Sequence, residues 1–187
     1  MSARNRLITA TVGQLRRFGV AGTSVSGILA DSGLARRTLY LNFPEGKPEL
    51  VAAATKVASE QTVSAFEQVL RSESDPVRLV ETFIERSAKA LEANDFAAGC
   101  PIAAAALGRE EAPAAADAAG DAFAGWVAEI TRIARDSGIG EDAAAELATT
   151  VVATVEGALI MSIAERSSEP LRRAGRCLAA MIRAELD

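Results

Sequence analysis

Arg36, Arg37, Thr38, Tyr40, Asn42 and Lys47 fall within one twelve-residue stretch and offer cations, hydroxyls and an amide. Side chains of this kind break no bonds by themselves. They grip phosphate oxygens and donate to the edges of bases. The rest of the chain gives little to a catalyst. It has no His at all, so His-based triads and zinc–His sites are excluded. It also lacks a Gly-rich phosphate loop, a CxxC pair and a nucleophile elbow. We therefore expect no catalytic residue, no metal ligand and no cofactor. A carboxylate-based hydrolase is the enzymatic alternative, although no Asp/Glu pair stands out. A helical adaptor that meets only proteins is another.

Those donors need an element to present them. Thr23 to Lys47 reads TSVSGILADSGLARRTLYLNFPEGK. Ile28, Leu29, Leu34 and Leu39 are spaced to pack two short helices against each other, with Gly33 supplying the turn. Ser24, or Thr23, caps the first of them, about residues 25–31. The second covers about 35–41 and carries the arginines and hydroxyls. Phe43 anchors its end, and Pro44, Gly46 and Pro48 break the chain. Two crossed short helices, the second basic, form a helix-turn-helix, the unit that enters a DNA major groove.

Charge is distributed accordingly. The formal net charge is −5, which argues against a polyanion partner for the chain as a whole. Residues 1–50, however, hold seven Lys/Arg against three Asp/Glu, a balance of +4, and the remainder holds thirteen against twenty-two, a balance of −9. A basic head on an acidic body points to nucleic-acid contact through the head alone.

The whole pattern is helical. Ala is abundant, Pro is scarce and aromatics make up 4 % of the chain; high Ala content with few β-branched runs favours helices. The expected fold class is all-α, with about nine helices: three in an N-terminal head, residues 1–46, and six in a regulatory and dimerisation body, residues 47–187. The first helix is expected over 4–18, ending at Gly19 and Gly22, and a long fourth helix over about 47–70. Asp75-Pro76 starts the fifth. Cys100-Pro101 opens a short one, and further helices cover 113–136, 141–166 and the stretch from 169 onward. No uninterrupted run of 18 apolar residues exists, so no membrane span is expected. No secretory signal is evident, and Cys100 and Cys177 are widely separated. These features point to a cytoplasmic protein with reduced thiols.

Within the body, Phe66, Phe83, Phe123 and Trp126, with Cys100, Ile102, Thr154 and Met161, are candidates to line a pocket for a small apolar or amphipathic ligand; Ser162 is a further polar candidate. Plain core packing is the competing reading for each. Cys100 reads either as a redox sensor or as a buried structural thiol. Apolar stripes over 147–166 and 171–186 fit internal packing or a two-fold partner. The expected dimer face comprises Val151, Val155, Ala158, Leu159, Leu171, Leu178, Met181 and Ile182, with small residues permitting close helix approach.

The segment T-S-V-x-x-I-L-A-x-x-G-L-x-x-x-T-L-Y-x-x-F-P-x-G-K-x-E-L resembles the DNA-binding domain of TetR-family transcriptional regulators. Its F-P-x-G-K-x-E-L ending, Gly99-Cys100-Pro101, and Glu156-Gly157-Ala158-Leu159 are similar to the LmrA/YxaF-type branch. The resemblance implies a homodimeric, ligand-responsive regulator, usually a repressor, that binds a double-stranded DNA operator. It implies a four-helix dimer interface from the last two helices and drug-like or aromatic inducers. It assigns phosphate contacts to Thr38, Tyr40 and Lys47, and a capping and backbone-contact role to Ser24. Asn42 stands where the family usually has His, and Arg37 where a small residue is common. Arg37 could read guanine or bind a phosphate. A dimer would set two recognition helices about 34–36 Å apart, or a multiple, and so match a palindrome.

Overall fold

The computed structural model describes residues 1–186. Among them are nine α-helices and no strand: α1 (Ala3–Gly22), α2 (Val25–Ser32), α3 (Arg36–Asn42), α4 (Lys47–Leu70), α5 (Pro76–Ala93), α6 (Pro101–Leu107), α7 (Pro113–Asp136), α8 (Glu141–Glu165) and α9 (Glu169–Leu186). The all-α expectation holds. The chain divides into two compact units, residues 1–62 with 100–122, and residues 63–99 with 123–187. The unit holding the three head helices therefore extends beyond residue 46. It takes in the start of α4, α6 and the start of α7.

In the first unit α1 packs on α2, α3 and α6. Leu7, Leu15, Ile28, Leu39, Phe43, Leu50 and Ile102 are all buried and form its apolar interior. Fully burying one such side chain stabilises a fold by about 1.5–3 kcal/mol. The expected end of the first helix is a bend instead. Gly19 leaves helical geometry at φ 65°, ψ −173°, and one further turn runs to Gly22. That turn puts Val20, buried, against Gly108, where a Cβ would come within 2.4 Å of a Val20 methyl. Gly108 is thus required by close approach.

The second unit has a core of Val77, Val80, Ile84, Ala88, Leu91, Leu147, Leu171, Leu178 and Ile182, among others. Helix α9 packs on both α5 and α8. At Gly175 a Cβ would lie 2.8 Å from Ile84 Cγ2, so only glycine allows this approach of α9 to α5. Asp75 caps α5 by accepting from the Val77 amide at 2.9 Å. Ser162 is buried and accepts from the Leu171 amide at 3.2 Å. It therefore ties α8 to the start of α9 and does not face a pocket as expected.

Four of the expected dimer residues prove to be core. Leu171, Leu178, Ile182 and Ala158 are buried inside the protomer. Their stripe faces α5 and the α8–α9 contact, where apolar area is removed from water without a partner chain. Val151, Val155 and Leu159 are half-buried against the same core. Met181 is exposed.

One polar network joins α5 and α9. The Arg172 guanidinium reaches Glu85 at 3.1 Å and Glu92 at 2.9 Å, and the Ser168 hydroxyl donates to Glu92. The Arg172 hydrogen bond holds the Glu85 carboxyl below its ordinary 4.5. At Glu92 the Ser168 hydroxyl leads and Arg172 adds to the same shift. Depressed carboxylates bind fewer protons in the folded state than in the unfolded one. Their contribution is complete above the unfolded value and fades as pH falls through the folded value. We expect Arg172→Met to lower Tm by roughly 1–3 °C near pH 7, consistent with a partly exposed pair. Thermal melts between about pH 7 and 3 should show the gap to wild type closing on the acid side. A gap independent of pH would mean that Arg172 contributes through packing alone.

Candidate nucleic-acid interface

The recognition unit is built from a corner and a turn. Thr23, expected at the interface, is buried at the corner, and its hydroxyl donates to the Gly19 carbonyl at 2.6 Å. It holds α1 to α2 and does not face solvent. Ser24 takes the exposed cap position: its hydroxyl accepts from the Gly27 amide at 3.0 Å and lies 3.1 Å from Ser26 Oγ. Gly33 then turns the chain in the left-handed region, φ 63°, which glycine adopts without steric cost.

Two of the head's arginines hold this geometry. Arg6 donates to the Ser32 carbonyl at 2.6 Å, at the C-terminal end of α2. Arg17 pairs with Asp31 at 2.8 Å, and Gln14 donates to the same carboxylate at 2.6 Å. Arg4 lies over the Phe43 ring at 5.0 Å. By contrast, Arg36, Arg37 and Lys47 take no part in the ion pairs seen among the described residues, and both arginines are exposed. The positive charges of α3 and of the start of α4 are thus not neutralised by these ion pairs.

The roll of α3 decides which side chains face out. Leu39 and Phe43 are fully buried. At about 100° per residue, the direction opposite this pair falls on Leu41, with Arg37 about 40° to one side. Thr38 flanks that direction on one side, and Tyr40 on the other. The Tyr40 ring lies against Gly46, where a Cβ would come within 3.2 Å of Tyr40 Cε1 and φ is +75°. The ring is therefore parked beside the turn that leads to Lys47, the first residue of α4. Asn42 donates to the Thr38 carbonyl at 2.8 Å, so one of its amide hydrogens is engaged within α3. Glu49 stabilises the turn by accepting from the Glu45 amide at 3.0 Å.

The arrangement matches a groove reader: a basic centre, flanking hydroxyls that can reach both phosphate walls, and a lysine at a helix start. Nothing in the residue type singles out Leu41, since an aliphatic residue between Tyr40 and Asn42 reads as core. Yet Leu41 is 72 % exposed on the most outward line of α3.

The expected ligand residues do not all gather. In the second unit, Phe66 and Phe83 meet edge to face at 6.0 Å between centroids, and Phe123 and Trp126 do so at 5.3 Å. The Trp126 indole nitrogen is buried and has no hydrogen-bond partner among the described residues. Ile102, the second residue of α6, is fully buried in the first unit's core. Cys100 caps α6, accepting from the Ala103 amide at 3.5 Å, which favours its structural reading. Thr154 and Met161 line a groove on the outer side of α8 and α9, shared with Gly157, Pro170 and Arg173, and Met161 is exposed. They lie on a surface because α8 turns its interior face, through Leu147 and Ala158, to the core.

Comparison with known proteins places this geometry among regulators. Residues 76–177 match the model described as transcriptional regulator LmrA/YxaF-like, C-terminal domain. Over 98 % of its length the chain is 30 % identical to an HTH-type transcriptional regulator of Mycobacterium tuberculosis, covering 95 % of that relative. It is 24 % identical to the HTH-type transcriptional regulator LmrA of Bacillus subtilis, with 97 % of each chain covered. Among solved structures, the regulatory protein TetR from Rhodobacter sphaeroides superposes with a TM-score of 0.86 at 18 % identity, covering 96 % of this chain and 98 % of that one.

Proposed function

The chain belongs to the LmrA/YxaF-like branch of the TetR-family transcriptional regulators, and from that premise we propose that it is a homodimeric repressor released from a palindromic operator by a small amphipathic ligand. DNA-binding transcriptional regulation is the family's function. The observation that carries the finer reading is the outward face of α3, with Arg37 next to its most outward line, Thr38 and Tyr40 at its flanks and Lys47 beside it. In this reading Thr38, Tyr40, Lys47 and Ser24 contact the sugar–phosphate backbone, Arg36 adds positive charge, and Arg37 donates to guanine O6 and N7. Asn42 has one amide hydrogen left for a phosphate. The protein acts in the cytoplasm and needs no cofactor.

Dimerism is supported by what α8 and α9 leave uncovered. By length and composition α8 is apolar enough to cross a membrane, but only 22 % of its most apolar stretch is buried in the protomer. Ile160 is 58 % and Met161 54 % exposed, and Met181 and Cys177 are exposed on α9. A second copy meeting this face would bury it, with Gly157 permitting close approach. Met181 belongs to this proposed face. In this reading Thr154 and Met161 belong to that face as well.

For the ligand, the two aromatic pairs and the unpartnered Trp126 N–H favour an aromatic molecule carrying an acceptor oxygen. A buried donor without a partner costs about 1–3 kcal/mol, which such an oxygen would recover. To release DNA, the ligand must bind the DNA-incompetent state more tightly than the competent one.

Selection of bound DNA from a random library tests the core of this reading. A palindromic motif is expected; the absence of any enrichment would overturn it. Lys47→Ala should weaken all sites alike and reduce the salt slope by about 1, whereas Arg37→Ala should shift the preferred base at one position of each half-site. Ile160→Asp should convert the dimer to monomer in sedimentation without unfolding the chain; an unchanged dimer would place the interface elsewhere. Trp126 is the only tryptophan, so binding of an aromatic probe that carries a carbonyl oxygen should quench its emission, and Trp126→Phe should weaken that probe by about tenfold in calorimetry.

A further inference from the structure

Leu41 breaks the chemistry of the surface around it. Arg36, Arg37, Thr38, Tyr40 and Asn42 are polar, while Leu41 is aliphatic and 72 % exposed, more so than the 44 % of Tyr40 next to it. It lies one helical turn beyond Arg37 and directly opposite the Leu39–Phe43 anchor, so α3 presents it furthest from the protein. Its neighbours turn aside. Tyr40 lies against Gly46, and Asn42 bonds back to the Thr38 carbonyl.

A leucine at the centre of a groove-reading helix has one matching feature on B-DNA. In the major groove the thymine C5-methyl is the apolar group that base pairs present, and aliphatic side chains recognise it by contact. We infer that Leu41 reads a thymine methyl in each half-site, one or two base pairs from the guanine held by Arg37. The spacing follows from the helix: residues four apart are separated by about 6 Å along its axis, against about 3.4 Å per base step. This inference rests on the reading of α3 as the groove helix. It makes Leu41 a specificity-determining residue in which discrimination comes from burial of apolar surface. Replacing thymine by cytosine removes the methyl and also exchanges an acceptor for an amino group, so that base change alone does not isolate the contact. Deoxyuridine removes the methyl and leaves the pairing edge intact.

The test begins with the operator selected by the wild-type dimer. Each thymine is replaced in turn by deoxyuridine, and affinity is measured at fixed salt for wild type, Leu41→Ala, Arg37→Ala and Lys47→Ala. One symmetric thymine position should cost wild type about fourfold per half-site, the value of one buried methyl. It should lie within two base pairs of a guanine whose preference disappears in Arg37→Ala. Leu41→Ala should bind the thymine and deoxyuridine operators equally. Because the deoxyuridine arm leaves the protein untouched, a folding defect cannot mimic the result. If no deoxyuridine weakens wild type, or if Leu41→Ala keeps the full sensitivity, the inference is overturned. When Lys47→Ala still loses affinity in that case, the groove reading stands without it. If Lys47→Ala and Arg37→Ala both bind as wild type does, the groove reading falls as well.

Discussion

Burial of Leu39 and Phe43 fixes the roll of α3, and the recognition surface follows from that roll. A seven-residue helix has too few hydrogen bonds to be stable by itself. It exists because two side chains one turn apart enter the first unit's core. Rotating α3 by one residue would bury a charged or polar group and expose Phe43. The same constraint that folds the helix therefore also aims it. Gly33, in the left-handed region, and Gly46, beneath the Tyr40 ring, set where α3 begins and where the chain leaves it.

Positive charge in the head has two distinct roles. Arg6 and Arg17 face the end of α2, where carbonyl groups and Asp31 provide negative potential. They position the helix pair. Arg36, Arg37 and Lys47 lack such partners among the described residues, and in the proposed reading they carry the field that attracts a polyanion. A count of basic residues cannot separate these roles, because both kinds of arginine look alike in sequence. In the second unit Arg172 plays the positioning role again, joining α5 to α9 through two glutamates.

Much of this was legible in the chain itself. Helix order, the Gly33 turn, the Ser24 cap and the outward placement of Arg37 follow from periodicity and from residue-specific backbone preferences, which act locally. Thr23 is ambiguous in sequence because a hydroxyl suits a phosphate and a backbone carbonyl equally well, and only the bend at Gly19 decides between them. The stripe of Leu171, Leu178 and Ile182 fits a partner or the protomer's own core equally well in sequence. Periodicity finds stripes but does not tell which one meets α5. Ile102 looked like a pocket residue for a related reason: the packing of α6 on α1 joins positions about a hundred residues apart, and no local pattern encodes it. Leu41 was missed because aliphatic residues are read as interior by default, although its phase relative to Leu39 marks it as outward.

The contact between α1 and α6 bears on how separable the DNA-reading part is. Val20 sits on Gly108, and Ile102 fills the same interior as Leu7 and Leu15. The unit is thus discontinuous in the chain, interrupted by residues 63–99. During synthesis its core cannot close until residues 100–122 have left the ribosome, so the basic segment is made long before it is fully supported. A graft of residues 1–46 onto a foreign sensor would also leave the α6-facing side of α1 bare. Exchanging sensors among such regulators therefore calls for carrying α6 and the opening turns of α7 with the reader, as one inherited piece made from two stretches of chain.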